Sequence, residues 1–267
     1  MGMSQPGVSE AVERFLNTGE HDSHFSDFEG DIVARRRVGT AAMRDTLRKV
    51  VAWRAKRAPL SSAAIPEDAE ARVERRLAAL VSGLFPGADG ALVLAGLATR
   101  VVVVTPRTFG PLIEGVSLEA AWDLANLLLD ELGAPPLSDD TPTLEGLCAG
   151  GRAWVLPRAL NEGATYPEIV VHEGAHLLHT LTRDELGLPG SGHLLRVPPR
   201  RRETFAYACE VWAAARMESA DTLRLHELVA TAGMGDSRVD RPALGMLTER
   251  ARLGGLEVLR VWAESGH

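Results

Sequence analysis

"VVHEGAHLLH", residues 171–180, sets two imidazoles four residues apart and a carboxylate beside the first. At helical spacing His172 and His176 share one face, one turn apart, so both rings can reach a single ion. Neutral imidazole suits zinc, and a tetrahedral ion that keeps a position open for water needs one further protein ligand. Glu173 is placed to accept a proton from that water, whose pKa the ion would lower. The spacing is the HExxH pattern. The apolar neighbours Ile169, Val170, Val171, Leu177 and Leu178 predict a buried helix. Two histidines and a glutamate are costly there unless each is partnered.

Thr165 and Glu168 have capping-box spacing, so the helix is expected to start there and run to about residue 183. His179 lies at helical spacing from both other histidines. An unbroken helix carries it too far along the axis to share one tetrahedral ion, so it reads as a support for the ligands or a structural residue.

The third ligand is sought in "RRRETFAYACEVW", residues 200–212, which opens a second helix after Pro198 and Pro199. Glu203, Tyr207 and Glu210 fall at i, i+4 and i+7 and form a polar stripe on an otherwise apolar helix. Glu203 is the expected ligand, and Glu210 is expected to hold a ligating histidine in its tautomer. The reverse assignment, with Glu210 on the ion, stays open. Between the helices lies a Gly-, Pro- and Arg-rich connection. From it His193 is a candidate to face an oxyanion, and Arg200, Arg201 and Arg202 are candidates to hold a carboxylate. Tyr166 and Tyr207 are further candidate donors.

The surrounding chain predicts an α+β protein, mainly helical, with a small sheet. Residues 1–35 are polar and acidic and read as a flexible arm; His21 and His24 within it read as solvated. A single domain is expected over 36–267, with N-terminal helices in 36–133, the core in 150–218 and C-terminal helices in 219–267. Helices are expected over 37–58, 66–84 and 117–132, the last capped by Ser117. "RVVVVTP", from Arg100, is the best strand candidate, and "RAWVLPRAL" a second that Pro157 cuts short. Residues 134–151 read as a loop. Two helices are expected after Met217, broken at "GMGDSRVDRP".

Composition narrows the partners. The 267 residues carry a formal charge of -7, and Lys49 and Lys56 are the only lysines, so nothing suggests a nucleic-acid partner. Cys148 and Cys209 have no CxxC spacing and read as thiols in a reducing compartment. The N-terminus has no signal-peptide pattern, and the longest apolar run, 91–104, is interrupted by Arg100. A cytoplasmic protein without a membrane partner is expected.

With these motifs together, the chain resembles the gluzincin metallopeptidases, which pair HExxH with a glutamate on a later helix. Within them it is most similar to the thimet-oligopeptidase-like enzymes. HEGAHLLH matches their HExGHxxH segment except that Gly and Ala trade places, and Glu203, Glu210 and Trp212 match in spacing. The likeness spans about 40 residues. It implies a zincin-like core with an active-site helix, a Zn²⁺ cofactor and hydrolysis of a peptide or protein substrate, with His172, His176 and Glu203 as ligands and Glu173 as base. Those enzymes also carry a downstream His- and Tyr-rich segment that stabilises the oxyanion, whereas this chain has no tyrosine after Trp212. The alternative is a weak or inactive zincin-like protein that acts as a regulatory or binding partner.

Overall fold

A computed structural model describes residues 10–60, 64–85, 87–139, 141, 144–161 and 167–265. Thr165 and Tyr166, the expected cap and one candidate donor, lie outside them. Among the described residues the protein is mainly helical with one small sheet. In chain order the elements are α1 (Glu10–Thr18), α2 (Ile32–Ala55), α3 (Ala69–Leu84), α4 (Ala88–Ala98), β1 (Val101–Val103), α5 (Phe109–Leu112) and α6 (Leu118–Glu131). There follow β2 (Gly146–Ala149), β3 (Arg152–Val155), α7 (Ile169–Thr180), α8 (Arg202–Glu218), α9 (Thr222–Thr231), α10 (Arg241–Gly254) and α11 (Glu257–Glu264). The strands form a three-stranded sheet in the order β1-β3-β2.

Contacts gather the chain into two compact units, where one domain over 36–267 was expected. The first is Met1–Ala64 with Val103–Gly150, the second Ile65–Val102 with Gly151–His267. The division follows from packing: α3 docks on α7 and α8, whereas α2 docks on α6.

In the first unit the expected arm is, from Glu10 onward, part of the packed structure. Ala11, Val12 and Phe15 bury one side of α1, and Trp122 Nε1 donates to the Leu16 carbonyl at 3.0 Å. The stripe is only one turn long, which is why it did not stand out among acidic neighbours. α2 begins earlier than expected because the Asp31 carboxylate accepts from the Ala34 amide at 2.9 Å, an N-cap. Ser117 caps α6 as expected. The supposed loop 134–151 contains β2, which turns through Gly150 and Gly151. Both have left-handed φ, 59° and 69°, a conformation glycine adopts without steric cost.

The second unit holds the HExxH segment. Its central helix, α7, packs on α3, α8 and β3. β3 ends where Pro157 opens a 3₁₀ turn, Pro157–Leu160, since a proline cannot donate to the ladder. The C-terminal part is three helices, α9, α10 and α11, rather than two, with α10 and α11 against α8. Gly174 faces α3: a Cβ there would sit 2.5 Å from Leu77 Cδ2, so the glycine lets α3 and α7 approach. Among the described residues, no helix is long and apolar enough to cross a membrane.

Candidate metal centre

α7 and α8 position the site. The expected helix over 165–183 is shorter, Ile169–Thr180. At its start Glu168 makes no side-chain cap. Its carboxylate is wholly buried, and both oxygens accept from Arg76 Nη1 of α3, at 3.0 and 2.9 Å. At its end the chain turns out at Leu181 and comes back on itself. The Leu194 amide donates to the Leu181 carbonyl and the Leu195 amide to that of Leu178.

On α7, His172 and His176 bring their Nε2 atoms to 3.2 Å of each other. From α8, Glu203 Oε2 lies 3.4 Å from His176 Nε2 and 3.9 Å from His172 Nε2. The three groups each offer one ligand atom within 4.8 Å of the others. Around a tetrahedral zinc with bonds of ~2.0–2.1 Å, neighbouring ligand atoms stand ~3.3 Å apart. Two of the three separations match that spacing, and the third is wider by about half an ångström.

The ring orientations are fixed from behind. Glu210 Oε2, buried, lies 2.8 Å from His172 Nδ1. His179 Nε2 lies 2.9 Å from His176 Nδ1. With Nδ1–H donated in both cases, the two Nε2 lone pairs face each other across the 3.2 Å gap. Such lone pairs repel unless a cation or a shared proton lies between them. Glu203 thus stands at the imidazole Nε2 atoms and Glu210 behind His172.

Electrostatics suit a cation. Burial opposes charge on His172, but the hydrogen bond and charge of Glu210, with Glu173 and Glu203 nearby, outweigh it and lift its pKa to about 9. Burial, with His176 and Arg202 adding positive charge, pushes His179 down to about 3, so its ring stays neutral. Glu173 is buried; burial raises its pKa, and its Oε2 has no hydrogen-bond partner among the described residues. An unpartnered buried carboxylate is costly and calls for a reason. Tyr207 packs edge-on against His172, ring centroids 4.5 Å apart. Burial, then the charges of Glu210, Asp236 and Glu203, push its phenol to about 12, which keeps it a donor.

Other candidates fall elsewhere. The His193 side chain is exposed, its backbone forms an antiparallel bridge with Thr182, and its ring makes no hydrogen bond or ion pair among the described residues. As an oxyanion donor it is not brought to the cluster. Arg201 is committed to the C-terminal helix: it donates to the Trp262 carbonyl and stacks over the Trp262 ring at 4.7 Å. Arg202 Nε donates to the Val197 carbonyl. A cavity of about 440 Å³ lies against α3, α7 and α8, lined by Arg72, Arg75, Arg76 and Arg216 among others, but not by the histidines or Glu203.

Compared with profiles of known families, with curated proteins and with solved structures, the chain matches none.

Sequence reasoning missed Arg238. From the loop before α10 its Nη1 reaches Glu203 Oε1 at 2.8 Å, while Nε and Nη2 hold Asp236 at 3.0 and 2.7 Å. "GMGDSRVD" carries no periodicity that ties it to α8. It missed Arg76 for a similar reason: the partner, Glu168, is 92 residues away.

Proposed function

We propose that this protein is a zincin-like metal-dependent hydrolase that cleaves peptide or amide bonds, with zinc as its cofactor. The observation that carries the reading is the convergence of the His172, His176 and Glu203 ligand atoms, with the buried Glu173 on the same helix and its Oε2 without a hydrogen-bond partner among the described residues. The donor set, two imidazoles and a carboxylate, is the chemistry of a catalytic zinc site with one position left for water or substrate, the ion taking the place of the Nε2 proton that His172 holds without it. When bound, the ion would supply Lewis acidity, lowering the pKa of water and polarising the scissile carbonyl.

The protein's own groups do the remainder. Glu210 and His179 hold the two imidazoles by Nδ1, keeping Nε2 available. Glu173 accepts the proton of the attacking water and delivers it to the leaving amine, a role for which a carboxyl with a raised pKa is suited. Tyr207 keeps its proton and donates a hydrogen bond from its phenol to the oxyanion, the role that the His- and Tyr-rich segment fills in the resembled enzymes. The substrate is a peptide or a protein, and the buried free thiol of Cys209 agrees with a cytoplasmic setting.

Metal analysis of the purified chain tests the centre, with H176A as the control: about one zinc per chain is expected for the native protein and none for the variant. A peptide-library screen with and without chelator, repeated on E173Q, tests the reaction. Chelator-sensitive cleavage that E173Q abolishes while keeping its zinc supports hydrolysis. A zinc-loaded native protein that cleaves nothing favours the alternative of an inactive, partner-binding zincin-like protein.

A further inference from the structure

We infer that Arg238 is a positioning residue for Glu203, fixing which carboxylate oxygen the third ligand presents. The inference rests on the reading of Glu203 as a metal ligand. Glu203 has two oxygens and several rotatable bonds. Its Oε2 faces the two imidazole Nε2 atoms, and its Oε1 is taken by Arg238 Nη1 at 2.8 Å. A carboxylate held this way offers one oxygen to an ion instead of swinging to offer both, which leaves a coordination position free for water or substrate.

The guanidinium is itself held. Asp236 takes Nε and Nη2 through its two oxygens, and the Arg238 amide also donates to Asp236 Oδ1 at 2.9 Å. This two-pronged pairing fixes the plane of the guanidinium as well as its place. The loop that carries both residues is pinned to α8. The Asp240 amide donates to Thr204 Oγ1 at 2.9 Å, next in sequence to Glu203. Gly233, with φ +58°, lies so close to the Tyr207 ring that a Cβ would meet Cε2 at 2.9 Å. Arg241, just beyond, donates to the Val229, Ala230 and Ala232 carbonyls. The Arg238 side chain is 69% exposed even so, so its ion pairs add little to overall stability and leave its role at Glu203 as the reason for the arrangement.

The sign of one measurement separates positioning from proximity. A cation beside a divalent metal repels it, so if Arg238 were only nearby, its removal would tighten zinc binding or leave it unchanged. If it holds Glu203, removal loosens zinc. The affinity of the full-length chain for Zn²⁺ is measured by competition with a chromogenic chelator, with folding checked by circular dichroism. R238A is expected to weaken zinc about 10- to 100-fold, the range for loss of an outer partner of a ligand. D236N, which frees the guanidinium, should weaken it less. In an E203A background R238A should cause no further loss. R224A, which removes an arginine paired with Glu218 and Glu227, serves as the control and should bind zinc as the native chain does. Unchanged or tighter binding by R238A, an equal loss in the E203A background, or an equal loss in R224A overturns the inference. If the native chain binds no zinc, the metal-centre reading fails instead.

Discussion

Glu210 Oε2 and His172 Nδ1 stand 2.8 Å apart, a hydrogen bond buried between α7 and α8. It spans 38 residues of sequence and decides which nitrogen carries the proton when the His172 ring is neutral. With Nδ1–H given to Glu210, Nε2 is the atom left to bind. E210A is therefore expected to weaken zinc about 10- to 100-fold without changing its stoichiometry. Chelator competition on E210A checks this; native affinity would remove Glu210 from the centre.

Gly174, inside the HEGAH segment, lets α7 lie close against α3. The Leu77 side chain is fully buried, and a methyl at residue 174 would press on its Cδ2 from 2.5 Å. Alanine brings up to ~1 kcal/mol of helix propensity, but forcing a packed contact apart costs ~1–3 kcal/mol. G174A should therefore lower stability by about 1 kcal/mol, read as a lower urea midpoint at unchanged slope. A higher midpoint would mean that α3 and α7 are not in close contact at this position.

Glu168 makes stability depend on pH. Burial, opposed by Arg76 and reinforced by the charge of Glu210, raises its pKa from 4.5 to about 7. Both Glu168 oxygens share a single nitrogen of Arg76, so the ion pair does not fully offset the loss of water. A carboxyl whose folded pKa is raised binds its proton more tightly when folded. Its contribution is then most favourable below the unfolded value of 4.5 and is lost as pH rises through about 7. The size follows from the shift, on the order of 3 kcal/mol across that window. Glutamine does not titrate, so the stability of the native chain minus that of E168Q should fall between those pH values and level off above. A flat difference in urea melts over that range would contradict the raised pKa.

The site was legible in the sequence wherever helical periodicity could report it. The 172/176 spacing and the 203/207/210 stripe each place side chains on one face, and α7 and α8 present those faces to each other. Glu210 behind His172 followed from the same stripe. What periodicity cannot carry is contact made by a loop or between distant helices. Arg238 meets Glu203 only because the loop before α10 is pinned by Thr204, and Arg76 meets Glu168 because α3 docks on α7. Ends of elements were similarly hidden. α7 stops at Thr180 because residues 181–195 fold back to pair with Leu178 and Leu181, a tertiary cause with no local sign. α1 went unseen because three apolar residues in one turn are too few to separate a helix from a polar arm.

Among the described residues, Tyr207 is the candidate donor that the fold brings against the centre, since its ring packs on His172 while His193 stands exposed. Its hydroxyl makes no hydrogen bond among the described residues, and with a pKa near 12 it remains a donor at neutral pH. Phenylalanine keeps the ring contact and removes only that donor. Under the hydrolase reading, Y207F should retain zinc and fold as the native chain does, while kcat falls about 10²- to 10³-fold, the usual loss for one oxyanion donor. KM should change little, because the charge that the hydroxyl meets develops only in the transition state. H193A should leave both constants unchanged. A Y207F variant with native kcat, or one whose loss lies entirely in KM, would move Tyr207 from oxyanion stabilisation to ground-state packing against His172.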